Sequence, residues 1–307
     1  MENKLHISVS PHIHGKRTTK GIMLDVIIAL LPATIAGVII FGLRSLAVIG
    51  VCVATTVLSE FLFNLATKKE QTIGDLSSIV TGLILALNLP AEVPLWQAIV
   101  GSVFAIVVVK CIFGGIGKNV VNPALTARVF MLVAFSSLAQ ASFPVDATAG
   151  ATPLVSIAEG KVPELMDLFL GKTGGSIGET CSLALLIGGV YLLVRKVITW
   201  QIPVAFVGTV FVFSLFLNEF NAATALACVL SGGLLLGAIF MATDYVTSPE
   251  TPWGKIVFGL GAGVITVLIR FWGVYPEGVS FAILLMNILN PYINSLTARK
   301  LFGGEKK

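Results

Sequence analysis

Residues 22–43 read IMLDVIIALLPATIAGVIIFGL, an almost unbroken run of apolar side chains. About 20 such residues are enough for one helix to cross the hydrocarbon core of a bilayer. A cleavable signal peptide has a shorter apolar core of about 7–15 residues and a small-residue cleavage site after it. No such site follows this run convincingly. We therefore predict that residues 22–43 form a first transmembrane helix that is retained.

The composition of the whole chain agrees with a membrane location. Of its 307 residues, 56% are hydrophobic and 12% are charged, and the mean hydropathy is +0.94. A soluble domain is roughly 45–50% apolar and about a quarter charged. We predict an all-α integral membrane protein with about ten spans, placed near 22–43, 45–67, 75–89, 95–113, 121–140, 179–195, 199–217, 222–241, 253–272 and 279–297.

The twenty Lys and Arg residues are distributed asymmetrically. With both termini in the cytoplasm, fourteen lie in inner segments, three lie within or at the edge of spans, and only Arg44, Lys161 and Lys172 lie in outer segments. This bias follows the positive-inside rule. It predicts a cytoplasmic N-terminal segment (1–21), a first five-helix membrane repeat (22–140), an extracytoplasmic loop (141–178), a second five-helix repeat (179–298) and a cytoplasmic C-terminal tail (299–307).

Two short motifs indicate an internal repeat. Asn119–Pro123 reads Asn-Val-Val-Asn-Pro, and Asn287–Pro291 reads Asn-Ile-Leu-Asn-Pro. A weaker similarity pairs Gly82-Leu-Ile-Leu with Gly233-Leu-Leu-Leu. Because five helices are an odd number, two such halves would be inverted relative to each other. Inverted repeats with broken helices are typical of transporters. The alternative is chance similarity between two apolar segments.

Polar groups within the spans are the next candidates, because uncompensated charge in hydrocarbon is unfavourable and tends to mark function. Each of the charged ones alone is more simply explained by a structural or interfacial role. Asp244, on a short connection, is most simply explained by solvation of a helix end. The candidate structural or ion-path residues are Asn122, Arg128, Asn290, Asp25 and Asp244.

Catalytic and metal-binding motifs are not recognisable. The four cysteines, Cys52, Cys111, Cys181 and Cys228, lie singly in apolar stretches, without the close spacing of a zinc or iron–sulfur site. They are predicted to be lone thiols; a cluster shared with another subunit is the alternative, with Cys111 its best candidate. We predict no metal ligands, no catalytic residues and no nucleic-acid partner.

The long loop contains the segment Asp146-Ala-Thr-Ala-Gly-Ala-Thr-Pro-Leu154. Its small side chains leave the Thr152 hydroxyl accessible, and Pro153 favours an extended backbone at Thr152. On these grounds alone an ordinary flexible loop is the favoured interpretation. Near the end of the loop, Ser176 and Glu179 have the spacing of a capping box, which predicts the start of the sixth helix there.

The same segment resembles the flavinylation motif Asp-x-x-(Ser/Thr)-Gly-Ala-Thr of the Rnf and Nqr redox complexes. It departs from the motif at Ala149, although Thr148 supplies a hydroxyl one position earlier. The chain is similar to the NqrB/RnfD family along most of its length, in stretches that include Ser10–His14, Gly114–Asn119, Gly175–Thr180, Met241–Asp244 and Tyr275–Val279. Its short polar N-terminus favours RnfD over NqrB.

The resemblance implies a function and a cofactor. The complex would pass electrons between ferredoxin and NAD and couple them to Na⁺ or H⁺ transport, in the cytoplasmic membrane of a bacterium or archaeon. A flavin transferase would attach flavin mononucleotide (FMN) to Thr152 by a phosphoester, recognising a motif that includes Asp146, Thr148, Gly150 and Ala151. The partners would be the other Rnf subunits and membrane lipid. A second, non-covalent flavin is left open.

Two other classes of function stay open from the residues alone. A channel or secondary transporter would use an inverted repeat and buried polar groups equally well. A scaffold that only anchors other subunits would not depend on Thr152. Whether the isolated chain is an enzyme is left open, and the resemblance implies that as a subunit it belongs to an ion-translocating oxidoreductase.

The charge asymmetry predicts the side on which each segment lies. In a background without the four native thiols, Lys161→Cys should react with a membrane-impermeant maleimide in intact cells, whereas Lys306→Cys should react only after the membrane is opened. The reverse labelling pattern would contradict the predicted orientation.

Overall fold

The computed structural model describes residues 18–135, 152–273 and 277–298. Every regular element in these ranges is a helix. The helices are α1 (Thr19–Phe41), α2 (Leu43–Ala66), α3 (Ser77–Leu87), α4 (Leu95–Val103, continued by π-helical turns Phe104–Cys111), α5 (Pro123–Ala134), α6 (Pro153–Ala158), α7 (Leu165–Leu170), α8 (Ser182–Val194), α9 (Gln201–Leu217), α10 (Ala222–Leu230), α11 (Leu234–Leu236, continued by π-helical turns Gly237–Met241), α12 (Pro252–Trp272) and α13 (Val279–Thr297).

The helices have the length and surface of membrane spans. Four of them, α1, α2, α12 and α13, are long and apolar enough to cross a bilayer, and α10 and α11 together form a candidate span bent by 62°. The outer surface is apolar: Ile39, Leu43 and Leu296 expose 76%, 81% and 86% of their surface. A soluble protein would bury such side chains. Among the described residues, the prediction of an all-α fold is confirmed, with four or five helices long and apolar enough to cross a membrane.

Several helix boundaries differ from the sequence prediction. The fifth helix ends at Ala134, short of residue 140, and residues 136–151 lie outside the described residues. The sixth predicted span begins at Ser182. The capping box predicted at Ser176 was wrong as a helix start: the Ser176 N–H donates to Glu179 Oε1 at 2.8 Å, but this bond closes a turn that precedes the helix.

Tight connections and close helix packing build the core. A single residue, Gly42, separates α1 from α2; its φ of 74° is favourable for glycine, and its N–H donates to Val38 O at 2.9 Å. Helix α1 packs against α8, α2 against α3 and α4, and α9 against α10 and α12. The fully buried Phe206 and Phe258 lie in α9 and α12. These contacts join the first and second halves of the chain into one body.

A buried ion pair holds the start of α3. Lys110 Nζ lies 2.9 Å from both carboxylate oxygens of Glu60 and donates to Ser77 Oγ at 2.6 Å. Thr72 donates to the same carboxylate at 2.6 Å. The Lys110 and Glu60 side chains are each only 2% exposed. Their charges are therefore neutralised within the protein, as a charged pair in a membrane interior must be.

Arg270 satisfies backbone carbonyl groups at the break between α10 and α11. Its guanidinium donates to the carbonyl oxygens of Cys228 at 2.7 Å, Ser231 at 3.0 Å and Gly232 at 3.1 Å. It also donates to the Glu277 carbonyl at 3.3 Å. The end of a helix leaves carbonyl groups without intrahelical partners. One side chain thus supplies the donors that the broken helix lacks.

Removing one member of the buried ion pair should be strongly destabilising. Lys110→Met leaves the Glu60 carboxylate buried without its counter-charge, and the expected loss is about 3–5 kcal/mol of folding free energy. Adding Glu60→Leu should recover part of it. The measurement is thermal unfolding and folded yield in detergent, with the exposed Lys20→Met as control. Equal stability of Lys110→Met and the control would show that the pair is not required.

Candidate functional site

Thr152 directly precedes a short helix and lines a cavity. It is the N-cap of α6, with φ −63° and ψ 155°, and its hydroxyl accepts a hydrogen bond from the Val155 N–H at 3.3 Å. This backbone is extended, as Pro153 predicts. The other residues of the predicted motif, Asp146, Thr148, Gly150 and Ala151, lie outside the described residues.

The Thr152 cavity has a volume of about 100 Å³ and contains both charged and polar groups. Residues from several elements converge on it: the segment before α8, the break between α10 and α11, the start of α13, and helices α5 and α6. The polar and charged side chains of its lining are Arg128, Thr152, Thr173, Ser176, Glu179, Thr180, Ser231, Glu277 and Ser280. The rest of the wall is formed by Gly, Pro, Leu and Phe residues.

The segment before α8 is held in place by the end of α3. The Ile177 N–H donates to Leu89 O at 3.0 Å, and the Gly178 N–H donates to Leu87 O at 2.8 Å. These bonds satisfy carbonyls at the C-terminal end of α3. They also fix the next residue, Glu179, at the cavity wall.

Two carboxylates approach each other at the break in the bent helix pair. Gly233 has φ +68°, and a Cβ at this position would lie 3.1 Å from Glu179 Oε2 and 3.5 Å from Glu277 Oε1. Any larger residue would be strained by its backbone and would press on both acids. On the other side of the break, Leu154 of α6 packs over Gly232. The break is therefore the point at which α6, and with it Thr152, is held against the core.

One of these acids forms an ion pair with an arginine. Arg128 in α5 donates to Glu277 Oε2 at 3.0 Å, and its side chain is 4% exposed. Its Nε and its second terminal nitrogen have no hydrogen-bond partner among the described residues. Thr180 Oγ1 is likewise buried without a described partner. Two residues of the cavity wall, Arg128 and Thr180, therefore keep buried polar atoms without a described partner.

Glu179 lies in the connection before α8, and its carboxyl is a weaker acid than usual. Burial and, to a smaller extent, the neighbouring Glu277 carboxylate raise its pKa to about 7 against the opposing effects of the Ser176 N–H, Arg128 and Arg270. The carboxyl faces the cavity and is partly exposed there, but protein atoms enclose it on the other sides. It can therefore hold a proton up to near-neutral pH.

The remaining candidate residues lie away from this cavity. Asp25 accepts hydrogen bonds from Tyr191 at 3.0 Å and Arg195 at 3.2 Å, which joins α1 to α8. Asp244 accepts from Thr247 at 3.1 Å within its connection, where burial raises its pKa. Both contacts are those of structural residues.

The two Asn-Pro motifs contact each other. Asn122 is the N-cap of α5 and accepts from the Ala124 N–H at 3.1 Å. With its amide oriented to suit its neighbours, Asn287 accepts from the Asn122 N–H at 3.3 Å and donates to Thr247 O at 3.2 Å. Asn290 is buried, and its Oδ1 has no partner among the described residues. Helix α13 continues through Pro291, in contrast to α5, which begins at Pro123.

A second, larger cavity of about 430 Å³ lies elsewhere in the chain. It is mostly apolar, and its wall includes Ile22, Ile84, Lys110, Phe240 and Asp244. It brings together Asn122 and Asp244, which the sequence analysis considered separately, and the buried Lys110.

The sequence analysis did not identify Glu277 as a site residue, and it gave Glu179 only a capping role. A signal was present, because both acids lie in stretches that carry the family resemblance, Gly175–Thr180 and Tyr275–Val279. Their convergence at Gly233 depends on the fold and has no local sequence pattern.

Comparison with known proteins identifies the family. A model of the NQR2, RnfD, RnfE family matches residues 6–303. The chain belongs to this family. It is 44% identical to a subunit of the Na⁺-translocating ferredoxin:NAD⁺ oxidoreductase complex of Acetobacterium woodii, over 99% of this chain and 97% of that protein. It is 38% identical to the counterpart from the proton-translocating complex of Clostridium ljungdahlii, over 98% and 97% of the two chains. The resemblance stated from the sequence is confirmed.

The raised pKa of Glu179 in this NQR2/RnfD/RnfE family member can be measured directly. In the infrared spectrum, the C=O band of a protonated carboxyl should disappear as the pH rises through about 7. Glu179→Gln should remove this band, whereas Glu164→Gln, which changes an exposed acid, should leave it.

The same shift has a defined effect on stability. Since the folded-state pKa lies above the unfolded value of about 4.5, ionisation opposes folding. The stability of the wild type relative to Glu179→Gln should therefore fall between about pH 4.5 and pH 7 and level off above that. A constant difference over this range would contradict the shift.

Proposed function

We propose that this chain is the membrane subunit of an ion-translocating ferredoxin:NAD oxidoreductase (Rnf) complex, and that it relays electrons through FMN attached covalently to Thr152. The observation that carries the proposal is the position of Thr152: its hydroxyl caps α6 beside a cavity whose wall includes Arg128, in a chain so similar to a known component of such a complex. A scaffold would not need this arrangement.

The residues around Thr152 fit the proposed cofactor. Attachment needs a hydroxyl, and an unactivated aliphatic hydroxyl is a weak nucleophile, so a separate transferase must act on it. Oxygen esterified at Thr152 can still accept the hydrogen bond from Val155. The same cavity wall includes Arg128, whose positive charge favours an anionic group nearby.

The bound flavin would accept and release electrons, and the protein supplies its position and electrostatic surroundings. Thr152 and Pro153 hold the attachment point on α6, and Leu154 holds α6 against the break between α10 and α11. Glu179 holds a proton on its carboxyl near neutral pH. Arg270 keeps the break closed by binding its carbonyl groups.

We further propose that the chain crosses the membrane ten times as two inverted halves, with both termini in the cytoplasm. The four long helices, the bent pair α10–α11 and five shorter apolar helices supply the spans. Lys110 binds Ser77 at the start of α3, and Arg270 binds Ser231 and Gly232 just before α11. Leu76 and Gly233, which precede these two helices, both have positive φ. This correspondence supports the repeat.

The proposed partners are the other Rnf subunits in the cytoplasmic membrane and a flavin transferase during maturation. The coupling ion is Na⁺ or H⁺, since the two relatives named above differ in the ion they translocate. The second cavity, with its apolar wall and about 430 Å³ of space, is the proposed place for a non-covalent flavin.

A solute transporter is the second candidate, because the 62° bend between α10 and α11 resembles the broken helices of transporters. Detection of covalently bound flavin would distinguish the two functions, because a solute transporter does not need a flavin.

Substitution at Thr152 tests the proposal. Thr152→Ala should abolish the fluorescence of covalently bound flavin in denaturing gels while the protein stays folded, because the side chain makes one weak hydrogen bond. Thr152→Ser should retain partial attachment, and Asp146→Ala should reduce it. Thr148→Ala is the matched control and should keep a labelled Thr152 peptide. Wild-type protein co-expressed with a competent transferase and lacking an FMN adduct by mass spectrometry would refute the proposal and favour the transporter.

A further inference from the structure

The charge of the Thr152 cavity depends on Glu179. Three charged side chains line the part of this cavity that the structure describes, namely Arg128, Glu179 and Glu277. Arg128 and Glu277 form an ion pair at 3.0 Å, so their charges offset each other. Glu179 forms no ion pair within the described ranges, and its Oε1 accepts a hydrogen bond from the backbone N–H of Ser176 at 2.8 Å. The cavity therefore gains a negative charge whenever Glu179 loses its proton.

The second oxygen of Glu179 lies beside another acid. A Cβ on Gly233 would be 3.1 Å from Glu179 Oε2 and 3.5 Å from Glu277 Oε1, so both oxygens approach the same point. Arg270 of α12 also acts on Glu179, but its guanidinium is bound to backbone carbonyls at the break and does not line the cavity. An ionised Glu179 would thus add a second negative charge next to Glu277 without a cation bound to it.

The cavity is also small. Its volume is about 100 Å³, and Glu179 and Thr152 both belong to its wall. A phosphodiester on the Thr152 oxygen carries one negative charge, and it would lie at the same confined space as the Glu179 carboxyl. Two like charges repel more strongly where protein atoms replace water. A proton on Glu179 removes this repulsion.

We propose that the presence of FMN on Thr152 and the binding of a proton by Glu179 favour each other, so that Glu179 is a neutral carboxyl when the flavin is in place. This inference rests on the proposed function and concerns the regulation of the same site. The proton comes from solvent and binds to a carboxylate oxygen of Glu179. Since such a linkage is reciprocal, protonated Glu179 also favours the phosphate lying at the cavity.

The surroundings of Glu179 make this linkage effective near neutral pH. Burial and the Glu277 carboxylate already raise its pKa to about 7, against the effects of Ser176, Arg128 and Arg270. A further rise caused by the phosphodiester would leave the carboxyl protonated at neutral pH. Without the flavin, the same carboxyl would be ionised in about half of the molecules at that pH.

Infrared titration of the full-length chain tests the linkage directly. The protein is produced with and without the flavin transferase and purified in a detergent that has no ester groups. The C=O band of protonated Glu179 is identified as the band that Glu179→Gln removes and the exposed Glu164→Gln retains. Its midpoint should lie about half a pH unit or more higher in the flavin-bearing protein, which is about a threefold gain in proton affinity. Isotope labelling of the glutamate carboxyl carbons identifies the band if Glu179→Gln does not fold.

Phosphorus NMR gives the reciprocal measurement in a phosphorus-free detergent. A phosphodiester does not itself titrate near neutral pH, so any movement of its resonance there reports a neighbouring group. In the flavin-bearing wild type the resonance should move with pH at the midpoint of the infrared band. Glu179→Gln should abolish this movement, and Glu164→Gln, the matched control, should preserve it.

The outcomes separate this inference from the function on which it rests. Wild-type protein produced with a competent transferase and lacking an FMN adduct would refute both. An adduct with an unchanged or lower infrared midpoint would refute the linkage and leave the proposed function intact. Phosphorus movement that survives in Glu179→Gln would assign the proton to another group, such as Glu277, and overturn the role of Glu179.

Discussion

Hydrocarbon offers no hydrogen bonds, so every buried charge and every freed backbone group of this chain must find a partner inside the protein. Lys110 and Glu60 meet this requirement as a pair that also holds Ser77. Arg270 meets it by binding backbone carbonyls at the end of α10. Lys110 and Arg270 thus act where a helix begins or ends, at the start of α3 and at the end of α10.

The break between α10 and α11 shows how this constraint creates a site. A continuous helix would satisfy its own carbonyls and would leave no space beside it. The break needs Gly233 with a positive φ, and it needs Arg270 to bind the exposed carbonyls. In return it gives two carboxylates room to approach and gives Leu154 a surface on which to pack. The location of Thr152 beside the cavity depends on all of these contacts.

Much of the fold was predictable because its signals are local. Long apolar runs identified α1, α2, α12 and α13, and Pro153 predicted the extended backbone at Thr152. Helix ends were less predictable: the pattern extended the sixth span back to residue 179, whereas hydrogen bonds from Ile177 and Gly178 to the end of α3 keep this segment out of the helix. The pairing of Arg128 with Glu277 joins residues far apart in sequence, and no pattern along the chain encodes it. Sequence reasoning identified Arg128 as a candidate but could not supply its partner.

The charged side chains that line the Thr152 cavity are Arg128, Glu179 and Glu277, and Arg128 is already paired with Glu277. Relatives that translocate Na⁺ and protons align with this chain over nearly its whole length, so the overall fold does not select the ion. Selection must then depend on local side chains or on partner subunits.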